Sequence, residues 1–250
     1  AIEIKGDGDT NIELNGNNTL ASTDAHAGLE KTDAECSGTL TITDDKNDNG
    51  SEKEEKDKYG YSTGGDTGTL AVVGGGDGGA GIGGGDNGGV TSITISGGNV
   101  RILDASDDGL NTGGSDSGSY AMTITGGYIY VNASGDGVDS NSTWEMSGGT
   151  LLKLTVGGTE LKSKANGNMT YTGGTLLALS SKGMMEYPES GCLIATNCNA
   201  AAGEQISIVD KNGTVLAALQ SPKAVSDVIY GIGDSDSADY TIVTGGTYDG

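Results

Sequence analysis

The chain has 250 residues, with 47 Gly, 2 Pro, no Phe and a formal net charge of −22. Its single Arg and lack of any basic stripe exclude a nucleic-acid partner. The glycines follow no triplet period, which excludes collagen, and no apolar run approaches the ~20 residues of a membrane-spanning helix. Dense carboxylates repel one another, so divalent cations are the natural partners of this composition.

Alternating apolar and polar residues begin at once. AIEIKGDGDTNIEL (1–14), NIELNGNNTL (11–20), GTLTITDD (38–45) and GTLAVV (68–73) read as short, half-buried strands. The first of these has the character of an edge that pairs with another protomer, and self-assembly into a filament or adhesin follows as one reading. Residues 44–66 form a charged, apolar-poor excursion between strands. GGAGIGGGDNGG (78–89) resumes the pattern, with Gly81 standing 28 residues before Gly109.

A repeat then becomes explicit. Gly-Gly follows a strand at 97–98, 126–127, 148–149, 173–174 and 245–246, and the first four are spaced by 29, 22 and 25 residues. A second element trails each of the first four pairs: SDDGLNT (106–112), SGDGVDS (134–140), GTELKS (158–163) and SKGMMEY (181–187). An irregular period of this length suits an all-β fold, a right-handed parallel β-helix whose corners absorb length differences as loops. In this register Ile95 lies over Ile124, Val100 over Ile129 and Trp144 over Met122, all facing inward. Tyr128 and Tyr130 face outward beside Arg101, Leu152 and Leu177, a stripe suited to stacking on sugar faces.

The chemistry gathers at the trailing element. Asp108 and Asp136 are 28 residues apart, as are Asn111 and Asp139. Stacked carboxylates about 4.8 Å apart require a proton or a bridging cation. Asp107, Asp108 and Asn111 on one coil, with Asp136, Asp139 and Asn141 on the next, supply the hard oxygens that Ca²⁺ prefers. Turns rich in Asp and Asn also form without any metal. His26 is the only His and the Cys residues lack ligand spacing, so zinc is disfavoured. The next coil carries Lys162, where the acidic ladder thins.

Beyond residue 190 the pattern changes. QISIVDKNGTVLAAL (205–219) places Asn212-Gly213 between alternating runs, a hairpin signal, and VSDVIYGI and DYTIVTGGTY add strands. Two units follow: a β-helix over 1–189 and an antiparallel β cap over 190–250, packed on the helix end. Cys192 and Cys198 are close enough in sequence for a loop disulfide, with two free thiols as the alternative and Cys36 left over.

The segments ASDDGLNT, ITGGYIYVNASGDGVDSN, GGTLLALSSKGM and the terminal TIVTGGTYDG closely resemble the right-handed β-helix family of carbohydrate-binding proteins from clostridia and related bacteria. The resemblance implies a pectate-lyase-like fold with Ca²⁺ between coils. It also implies non-catalytic binding of cellulose-like or polygalacturonate-like polysaccharide by a secreted or cell-surface bacterial protein. Residues 1–90 match that family poorly, and Lys162 departs from it. A calcium-dependent polysaccharide lyase is the enzymatic alternative, with Arg101, Lys153, Lys162 or Lys164 as base. No leader segment is evident, so the chain reads as mature or cytosolic. An ice-binding face is set aside, because no Thr ladder stands out in the sequence.

Overall fold

The computed structural model describes residues 1–23, 25–31, 38–46, 67–76, 78–84, 92–113, 121–140, 143–155, 161–163, 169–181, 188, 190–195 and 197–246. The protein is all-β. The chain visits three parallel sheets in turn, six times over. The rounds are β1 (Ile2–Glu3), β2 (Thr10–Glu13), β3 (Asn17–Ala21); β4 (Leu29–Glu30), β5 (Thr39–Thr43), β6 (Thr69–Gly74); β7 (Ile82–Gly83), β8 (Ser92–Ile95), β9 (Asn99–Ala105); β10 (Leu110–Thr112), β11 (Ala121–Ile124), β12 (Tyr128–Ala133); β13 (Val138–Ser140), β14 (Thr143–Met146), β15 (Thr150–Thr155); and β16 (Leu161–Ser163), β17 (Met169–Tyr171), β18 (Thr175–Ser180). The first strand of every round joins one sheet, the second another and the third a third.

The registers match those read from the Gly pairs. Ile124 pairs with Ile95 and Met146, Met122 with Trp144, and Ile129 with Val100. All of these side chains are fully buried, and with Leu40, Ile42, Ile93, Ile102, Val131 and Val138 they form one continuous apolar core. Trp144 is therefore core, as its alternation predicts. The glycines of the second-to-third-sheet corner stack on one another. Gly98, Gly127, Gly149 and Gly174 all adopt positive φ, between 73° and 93°. A Cβ on Gly149 would sit 2.6 Å from the Gly126 carbonyl, so no larger residue fits this corner without displacing a round. The pair at 245–246 belongs elsewhere. It follows an antiparallel strand, and no atom of the described residues lies within 4 Å of where its Cβ atoms would be.

The second sheet runs without a bulge from β2 to β17. Its outer positions align Thr41 with Thr94 and Thr94 with Thr123. This is a Thr ladder, contrary to the sequence-based expectation. It was hidden because the 53-residue step from Thr41 to Thr94 spans the charged excursion and breaks the apparent period.

After residue 190 the strands are antiparallel. β19 (Cys192–Ala195) and β22 (Asp227–Gly231) extend the third sheet beyond β18, in the order β19-β22-β18. β20 (Gln205–Asp210), β21 (Val215–Gln220) and β23 (Tyr240–Thr244) form a separate sheet in the order β21-β20-β23. The Asn212-Gly213 hairpin joins β20 to β21, with Gly213 at φ +84. Asn212 is not left-handed, so the turn is closed by glycine alone and is not of type I′.

This separate sheet lies along the outer face of the third sheet. Leu177, Leu179, Val228 and Tyr230 pack with Ile206 and Ile208 into a second core, joined at its margin by Tyr130 and Leu152. Leu176, Ala178 and Ile229 point the other way, into the first core. β18 and β22 are thus walls with a core on each side, which is why TLLALS and DVIYG read as nearly continuous apolar runs. Cys192 packs against the first core and Cys198 against the second. That placement keeps both thiols free. Cys36 lies outside the described residues.

Candidate functional site

The acidic corner lies where each round passes from the third sheet to the first. β10 pairs with β13 so that Leu110 meets Val138 and Asn111 meets Asp139, and β13 pairs with β16 so that Asp139 meets Lys162. The 28-residue spacing therefore places Asp107, Asp108 and Asn111 directly against Asp136 and Asp139. Below them, Ile82 pairs with Leu110, in line with the predicted Gly81–Gly109 alignment. Asn141 and Lys164 lie outside the described residues, as do 182–187 of the fourth trailing element.

Backbone bonds knit the two corners together. Gly109 N–H donates to the Asp136 carbonyl at 2.8 Å, and Gly135 N–H donates to the Asp107 carbonyl at 2.7 Å. Asp108 is 8% exposed and Asp136 is 9% exposed. The Asp108 carboxylate is held from two sides. Its Oδ1 accepts the Asp136 backbone N–H at 2.7 Å, and its Oδ2 accepts the Asn111 amide at 2.7 Å. Gly135 makes room for it. A Cβ there would lie 2.7 Å from Asp108 Oδ1 and 2.8 Å from Asp107 Oδ1, so two carboxylates converge over this glycine.

Glycine also closes the corner from within. Gly28, Gly81 and Gly109 each precede a first-sheet strand, and a Cβ would drive into Val72, Ile102 and Val131 respectively. The same column continues at Gly137, whose carbonyl accepts from Leu110 N–H at 3.0 Å. The signal is Gly followed by an aliphatic residue, and it marks Gly28-Leu29 as an earlier member that sequence reading left unplaced. There the partner of Gly83 is Glu30, nearly fully buried. Its Oε2 accepts the Ala27 N–H and faces His26 Nδ1, each at 2.9 Å.

The donor set at the acidic corner is oxygen-only, which matches Ca²⁺ and not zinc. A carboxylate offers about four lone-pair sites, so Asp108 retains acceptor capacity beyond its two hydrogen bonds. Among the described residues, no group of three or more Asp, Glu, His or Cys side chains is assembled around a common point. Ion binding at this corner therefore calls for side-chain rotation of Asp136 or Asp139 toward Asp107 and Asp108.

The outward stripe has the predicted register, with Tyr130 paired to Arg101 and Leu152, and Leu152 to Leu177. The Arg101 guanidinium lies 5.8 Å from the Tyr130 ring centroid. Leu177, however, is fully buried in the second core, and Tyr130 and Leu152 pack against that core. Burial raises the Tyr130 and Tyr128 hydroxyls above the usual phenol range, with Arg101 opposing the shift. Lys223 from the C-terminal segment reaches across to the Ala133 carbonyl at 2.9 Å. Arg101 is thus the exposed member of the stripe, and Tyr128, outside the second core, is partly buried. Arg101 lies four residues before the end of β9 at Ala105, roughly 13 Å along the strand, so the structure does not bring it beside the acidic corner. Lys153 and Lys162 are placed by strand register alone.

No family model, no curated protein and no solved structure matches this chain.

Proposed function

We propose that this chain is a calcium-stabilised right-handed parallel β-helix that acts outside the cell as a non-catalytic polysaccharide-binding module. Three observations support the fold. Three strands recur in each round, every pairing between rounds is parallel, and each sheet takes one strand per round. The right hand is the one that parallel crossover connections adopt.

The acidic corner carries the functional reading. Asp107, Asp108, Asp136 and Asp139 stand in register on adjacent rounds of a chain with net charge −22. Bound Ca²⁺ would neutralise this stack and offer a coordination position to a uronate carboxylate. The chain's own part is to hold the oxygens. Asp108 is fixed by the Asp136 N–H and the Asn111 amide, while Gly135 leaves the space above it clear. Tyr128 and Arg101 supply a ring face and a cation for a neutral or acidic sugar chain, of the cellulose-like or polygalacturonate-like class.

A thermal melt with and without EDTA tests this. The melting temperature falls on chelation and returns with Ca²⁺ but not with NaCl of equal ionic strength. An unchanged melting temperature would sink the calcium corner, and with it the main physical support for polysaccharide binding.

A further inference from the structure

The second sheet carries a surface that the calcium reading does not use. Its outward positions fall in three parallel columns. The first runs Thr39, Ser92, Ala121, Thr143. The second runs Asn11, Thr41, Thr94, Thr123, Glu145, Thr170. The third runs Glu13, Thr43, Ser96, Thr125, Ser147 and Thr172, beyond β2 and β5 by continuing the strands by one residue, and the Thr43 hydroxyl at its β2 end donates to the Asp45 carboxylate. Ser96, Thr125, Ser147 and Thr172 each donate a backbone N–H to the round below, at 2.9 Å.

The array is regular in two directions. Adjacent strands lie about 4.8 Å apart, and positions i and i+2 lie about 6.6 Å apart along a strand. Register is unbroken from β5 to β17. The backing is rigid: Leu40, Ile42, Ile93, Ile95, Met122, Ile124, Trp144 and Met146 beneath it are all fully buried. Threonine is β-branched and stiff at χ1, so its hydroxyl and methyl are fixed with the backbone. The hydroxyls of Thr41, Thr94 and Thr123 make no bond to described protein groups and face outward.

We propose that this face binds ice. A lattice of fixed hydroxyls and methyls at these two repeats approximates the oxygen spacing on a face of hexagonal ice. Such a face holds water in ordered positions at little further entropic cost. The chemistry of the face also favours ice over a sugar polymer. It presents no aromatic ring to stack on a pyranose and no amide at its centre to read sugar hydroxyls. From β5 to β17 Glu145 is the one charged residue of the three columns, with Glu13 at the β2 margin, although the chain's net charge is −22. An uncharged crystal meets no repulsion there.

The test uses the full chain, fluorescently labelled, on a growing single ice crystal, with freezing hysteresis read in parallel. Wild type adsorbs to defined ice planes and shows hysteresis. Thr94→Lys and Thr123→Lys each abolish both while leaving the melting temperature in place, and Glu145→Thr, which completes the central column, strengthens them. Thr19→Lys, on the outer side of the third sheet, changes nothing. No adsorption by wild type, or adsorption equal in the Thr123→Lys variant, overturns the proposal. So does adsorption to microcrystalline cellulose, lost in Thr123→Lys, with none to ice. The proposal stands apart from the calcium corner, since a melt indifferent to EDTA leaves the ice result unchanged.

Discussion

At the scale of single residues, Asp108 separates two roles that the sequence superimposes. Its carboxylate is a potential metal ligand, but it also satisfies the buried backbone N–H of Asp136. Leaving a buried donor unsatisfied costs about 1–3 kcal/mol. Asp108→Ala is therefore destabilising by about that amount even in EDTA, as measured by urea unfolding. Asp108→Asn keeps an acceptor oxygen and recovers most of the loss in EDTA, but not any stabilisation by Ca²⁺. Equal stability of Asp108→Ala and wild type in EDTA would show that the hydrogen bond contributes nothing. Sequence reasoning found the acidic residues because they recur in register at 28. It could not see the Asp108–Asp136 bond, since a carboxylate and a backbone amide leave no spacing signature beyond the one already used for calcium.

At the scale of elements, β18, β19 and β22 decide what the outward stripe becomes. Tyr130 and Leu152 alternate outward as predicted, and a lone strand gives no hint of a layer above it. That layer is built by β20, β21 and β23, some fifty residues on, and its contacts are legible only in three dimensions. The apolar runs of β18 and β22 were the available clue, since burial on both faces removes the polar half of the alternation. The same burial has a titration consequence. Desolvation pushes the Cys192 thiol from 9.0 up to about 12. Tyr171 rises from 10.0 to about 12, chiefly by burial and then through Cys192. Both groups bind their protons more tightly when folded, so stability is full below pH 9 and is lost as pH rises from about 9 through 12. Urea midpoints at successive alkaline pH values should fall in that window. Cys192→Ala should lessen the slope, and a slope identical to wild type would remove Cys192 as its cause.

At the scale of the whole molecule, the parallel sheets were legible and their extent was not. The Gly pairs and the column of Gly81 and Gly109 encode the middle rounds, because those corners admit nothing larger. The early rounds were blurred by the excursion after residue 44, which also concealed the Thr ladder. The doubled wall has one further consequence. Among the described residues β1, β2 and β3 each pair on one side, whereas β18 is held by β15, β22 and two cores. In a stack whose rounds touch only their neighbours, opening travels inward from the looser end. Amide hydrogen exchange should then fall steadily from β3 through β6, β9 and β12 to β18, and a flat profile would contradict it. The clasp of β18, β19 and β22 fastens the stack at that side, so a pulling force or a protease acting there must break two cores before any round comes loose.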